Sequence, residues 1–148
     1  VLARMGEPLE RRRGRATLER LATEHAGTWI EAWCRAGIGR SLVRETDRES
    51  VLLGAIELLH VPVRFAVSQP WLASTCQAEA ALALDRVGNS DGATALAADL
   101  VRRWPGSAAA NDARIRALGG ERFGQADGRA GGPVVGPVID QAMREDPL

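Results

Sequence analysis

The chain has 148 residues, 45% apolar and 26% charged, which is the size and balance of one globular domain with a modest core. Nineteen basic and nineteen acidic side chains cancel, removing the general attraction to nucleic acid or anionic membrane that a basic chain would have. Two cysteines are too few for a disulfide-rich scaffold, and no run approaches the roughly 20 apolar residues of a membrane span. Every basic residue is arginine and none is lysine, which reads as codon bias in a GC-rich genome rather than as function. The opening at Val1 carries no signal-peptide pattern, so the chain is read as starting internally or following a leader that is not shown. The compartment stays open between cytoplasm and periplasm or cell envelope.

Taken in order, the elements are helical. A first helix is expected over residues 9–26, closed at Gly27 and carrying the basic run Arg11, Arg12, Arg13 and Arg15. Thr28 with Glu31, and Thr46 with Glu49, have capping-box spacing, in which a hydroxyl and a carboxylate satisfy free N–H groups of a new helix. After Thr46, Val51, Leu52, Ala55, Ile56 and Leu59 recur on one helical face, and Pro62 is expected to stop that helix. Another helix opens within residues 68–70, where Pro70 suits a first turn, and runs to a left-handed cap at Gly88. A further segment spans residues 90–104. In the corner that follows, Pro105 blocks continuation, Gly106 permits the turn and Ser107 caps a helix expected to end at Gly119. Seven glycines then fall in residues 119–136, which predicts an irregular arm, with a short terminal helix over 137–146. The reading is all-α.

Sliding the chain against itself by 42 residues sets Trp29 on Trp71, Cys34 on Cys76, Leu42 on Leu84, Arg44 on Arg86, Ala55 on Ala97 and Leu58 on Leu100. Alanine pairs come free in such a chain, whereas tryptophan and cysteine matching twice do not. Each copy reads helix, turn, helix, so the pattern points to a duplicated helical hairpin.

Residues 78–118 resemble a degenerate tetratricopeptide repeat of bacterial type. Ala81 and Leu84 stand at the small and bulky places of the first helix, Gly88 and Asn89 at the turn, and Ala93, Ala97 and Leu100 on the second helix, with Pro105 closing the unit. Gln77, Ala80 and Ala97 depart from the family's larger residues, and the 42-residue spacing exceeds its usual repeat of about 34. The resemblance implies antiparallel helical hairpins stacked as a short α-solenoid, with a Gly/Pro-rich C-terminal arm. Its parts are an N-terminal helix in 1–27, hairpins in 28–65 and 68–107 with a closing helix in 107–118, and the arm in 119–148. It also implies a groove that holds a partner segment.

No residue pattern points to catalysis. His25, Cys34, His60 and Cys76 lack compact zinc spacing, and no G-x-S-x-G, P-loop or dinucleotide fingerprint occurs. The cysteines read as small buried residues in equivalent repeat positions. No enzyme, metal or cofactor is expected. Trp29 and Trp71 are expected in the core, while Trp104, beside the corner, is a candidate partner contact. A hairpin cannot bury both its faces, so the arm, with Val134, Val135, Val138 and Ile139, is expected in the groove of its own solenoid or a neighbour's. The function implied is a non-catalytic interaction module, an adaptor or accessory subunit of a multi-subunit bacterial assembly. The alternative is a small helical nucleic-acid binder using Arg11, Arg12, Arg13 and Arg15. Charge neutrality, and Glu7, Glu10 and Glu19 placed to pair with those arginines, weigh against it.

Overall fold

The computed structural model describes the backbone of residues 8–126 and the side chains of residues 9–119. Six helices follow one another with short corners: α1 (Pro8–Glu24), α2 (Trp29–Leu42), α3 (Arg48–Arg64), α4 (Pro70–Arg86), α5 (Ser90–Arg103) and α6 (Ala113–Ala126). Each packs on the next. Contacts between second neighbours join only α2 with α4 and α4 with α6, so these three form one layer on the inside of a bend. Helices α3 and α5 lie in the outer layer. This is an all-α stack of helical hairpins.

The 42-residue offset reappears in the capping chemistry. Asp47 and Asn89, one offset apart, are the N-caps of α3 and α5, accepting from the N–H groups of Ser50 (2.7 Å) and Gly92 (3.1 Å). Gly27 and Gly88 hold φ angles of 81° and 79°, and the Asn89 N–H returns to the Leu84 carbonyl at 2.9 Å, closing α4. Buried Ala55, Leu58 and Val51 of α3 match buried Ala97, Leu100 and Ala93 of α5.

Several expected boundaries move. The cap of α3 is Asp47, not Thr46, because a carboxylate at that place reaches the Ser50 N–H. Glu31 does not complete a capping box with Thr28: it accepts from the Gly27 N–H (2.7 Å) and pairs with Arg64, while the Thr28 hydroxyl donates to the His25 carbonyl. Pro62 does not stop α3. It sits buried in the last turn, where its missing N–H costs one backbone bond and the helix still runs to Arg64. Ser107 caps only a turn, through the Ala110 N–H at 3.1 Å, and α6 starts at Ala113. There Asp112 accepts from the Arg114 N–H, and the Arg114 guanidinium draws its carboxyl down to about 2. Helix α6 then continues through Gly119 and Gly120 to Ala126, so the arm does not begin at 119. Gly119 is buried against Ala97 and Ala98, and that packing outweighs a propensity penalty of ~1 kcal/mol per glycine.

The core is built largely of small residues. Ala32, Ala36, Ala73 and Ala80 join Val51, Leu58, Val61, Leu72 and Cys76 across α2 to α4. Ala81, Ala97, Leu100, Ala110 and Ile115 continue it towards α6, and Leu96 and Trp104 touch both groups. A Cβ on Gly39 would lie 2.9 Å from the Gly54 carbonyl oxygen, so α2 and α3 cross backbone to backbone.

The two equivalent caps differ in one respect that a titration reads. The Ser50 N–H holds the Asp47 carboxyl below its usual range, so its capping is complete above the unfolded value near ~3.9 and fades as pH falls through the lower folded value. Asn89 carries no charge. We expect the Ser50 amide resonance to shift with the Asp47 titration, and Asn89→Ala to cost about 1 kcal/mol in urea denaturation. A Ser50 amide that does not move through the Asp47 titration would contradict the capping bond.

Candidate functional site

The exposure of Trp29 and Trp71 follows from where α2 and α4 begin. Trp29 is the first residue of α2 and Trp71 the second of α4. Helical side chains lean back towards the N-terminus, so a residue in a first turn projects past the end of its own helix rather than into the next layer. The expectation that Trp29 and Trp71 are core is therefore overturned: they are 61% and 64% exposed. Trp33, one turn into α2 from Trp29, is 42% exposed, and its ring lies 6.1 Å from that of Trp71 at an interplanar angle of 35°. That is a contacting aromatic pair spanning two hairpins.

Trp104 extends the row. It is half-buried against both parts of the core, with the Arg103 guanidinium 4.4 Å above its ring. Trp71 and Trp104, with Pro70 and Pro105 beside them, line one depression of ≈ 440 Å³ at the mouth of the WPGS corner. Such a surface offers indole faces and proline rings to stack on, and no titratable group for chemistry. Cys34 and Cys76 are buried and unbonded; burial raises both thiols, that of Cys76 to about 12, which suits an inert core residue rather than a nucleophile. Among the described residues no three His, Cys, Asp or Glu side chains gather as a metal site.

No protein-family model, curated protein or solved structure matches the chain.

The basic run divides. Arg15 donates to the Ser41 hydroxyl (2.9 Å) and to Glu45 (3.0 Å), and Arg11 pairs with the same Glu45 at 3.6 Å, so these two arginines fasten α1 to the end of α2. Glu45 belongs to the α2–α3 turn, so this partner is invisible to a reading along one helix. Arg12 and Arg13 are exposed. Val134, Val135, Val138 and Ile139 lie outside the described residues. No described helix is long and apolar enough to cross a membrane.

Sequence reading placed Trp29 and Trp71 in the core and kept Trp104 as the candidate contact, so Trp29 and Trp71 were missed as surface residues. One signal was available: Trp29 and Trp71 both fall within the first two residues of a helix, where a side chain leaning back towards the N-terminus passes the helix end.

Proposed function

We propose that the chain is a non-catalytic protein–protein interaction module, tetratricopeptide-like, which serves as an adaptor or accessory subunit of a larger assembly. Its partner is a protein segment laid across Trp29, Trp33, Trp71 and Trp104. The observation that carries this reading is the exposure of three tryptophans on α2 and α4, with one ring pair bridging the two hairpins. Each indole left in water forgoes the burial of ~150–250 Å² that such a side chain normally gains, and clustered aromatics anchor partners. The mix of indole and proline rings suits an extended segment with apolar or proline side chains.

The rival reading, nucleic acid on the arginine run, keeps Arg12 and Arg13 exposed but has Arg11 and Arg15 committed to Glu45. Affinity purification from the native organism at low and high salt separates the two, with wild type and Trp33→Ala/Trp71→Ala as baits. A protein retained at high salt by wild type and lost by the variant is the expected result. Trp71→Ala alone should weaken that partner about 30-fold, or ~2 kcal/mol, with helical content unchanged. Nucleic acid at low salt and nothing at high salt would sink the proposal.

A further inference from the structure

Helix α3 is apolar on both sides. Val51, Ala55, Leu58, Val61 and Pro62 are buried, yet Leu53, Ile56 and Val63 are 49%, 57% and 80% exposed. A helix that is hydrophobic all round is normally covered all round. Among the described elements α3 packs only on α2 and α4, which leaves its outer side open. The duplicated hairpin supplies a control. At the 42-residue offset Leu53, Ile56 and His60 fall on Ala95, Ala98 and Arg102 of α5, two small residues and a charge. Large apolar side chains on this face are therefore no requirement of the hairpin and belong to α3 alone.

Leu53, Ile56, His60 and Val63 follow one another at intervals of three, four and three residues, the rhythm of a seam between two helices. The seam matches itself when run antiparallel. Leu53 then meets Val63 of a second copy and Ile56 meets its His60, so a two-fold axis beside Leu58 fills every layer. The single polar member lowers stability and restricts the register. Charge selects the same direction, since α3 carries Glu49 in its first turn and Arg64 in its last. Antiparallel copies bring each Glu49 to the end that holds the other Arg64 and align the helix dipoles favourably. Parallel copies would set Glu49 beside Glu49 and Arg64 beside Arg64. The 17 residues of α3 make a strip ~25 Å long. A strip that short falls below the ~1,200 Å² of a standard interface, so a reversible dimer is expected rather than a permanent one.

We propose that the outer face of α3 is a homodimer interface, in which Leu53, Ile56, His60 and Val63 pack antiparallel on the same residues of a second copy. A dimer joined here carries two tryptophan rows, so a partner with two binding segments gains avidity without any new contact. The interface itself rests on α3 and does not depend on the partner reading above.

Sedimentation equilibrium on the full chain, from about 1 to 200 µM, tests this. Wild type should be half dimeric near ~10 µM, and Ile56→Asp should weaken the dimer at least ~30-fold with helical content unchanged. Ala95→Asp, at the equivalent place of Leu53 in α5, and Trp33→Ala/Trp71→Ala should dimerise as wild type does. Should Ile56→Asp fail to fold, cross-linking decides: Ile56→Cys mixed with His60→Cys and oxidised should link the two variants to each other faster than either to itself, the native thiols being buried. A wild-type monomer at ~200 µM would overturn the proposal and leave the face to another protein or to a further segment of this chain. A dimer that survives Ile56→Asp, or one lost in the tryptophan variant, would place the interface elsewhere and also overturn it. Self-linking of Ile56→Cys in preference to the mixed pair would overturn the antiparallel arrangement.

Discussion

Leu58→Ala is expected to lower the unfolding free energy by about 4 kcal/mol, in the upper half of the range for a buried leucine. Leu58 is fully buried at the crossing of α2 and α3, and a Cβ added to Gly39 would come within 2.7 Å of its Cγ. The leucine thus rests on bare backbone, with no side chain opposite that can swing into the space it leaves. The cost of truncation rises with the cavity that remains, and two helices already in backbone contact cannot close further. Leu100, its counterpart in α5, packs instead towards Ala110 and Ile115 beyond a looser corner. Leu100→Ala should therefore cost less, about 3 kcal/mol. Urea denaturation gives both values provided the m-values match that of wild type. A loss under about 1 kcal/mol for Leu58→Ala would mean that the crossing relaxes, contrary to this account.

Gly54→Val is the second large effect, expected at about 3 kcal/mol of destabilisation. A Cβ on Gly54 would lie 2.7 Å from the Val43 backbone nitrogen and 2.9 Å from the Gly39 carbonyl oxygen. Both obstacles are main chain, so no rotamer change relieves them and α2 must move away from α3. Valine is the better helix former, by roughly 0.5 kcal/mol, but that gain is small beside the overpacking. Gly106 is the control. Nothing lies within 4 Å of a Cβ there and its φ is not left-handed, so Gly106→Ala should be neutral or stabilising by up to ~0.5 kcal/mol. Thermal unfolding that ranked Gly106→Ala below Gly54→Val would refute the contact at the helix crossing.

What the sequence determined by itself was whatever short-range chemistry decides. Gly27 and Gly88 end helices because the left-handed conformation suits them locally, and Pro70 opens one because a first turn needs no donor. The 42-residue offset was legible because matched tryptophans and cysteines are rare enough to count, and it fixed which residues of α3 and α5 are equivalent. Tertiary structure decided the rest, through partners distant in sequence. Glu45 captures Arg11 and Arg15 from across a helix pair. Packing of Gly119 against α5 carries α6 through glycines that propensity alone would have made a break. The candidate site belongs to this second kind. Whether an indole is core or surface depends on what lies beyond its helix end, and the pairing of Trp33 with Trp71 exists only because α2 and α4 lie side by side.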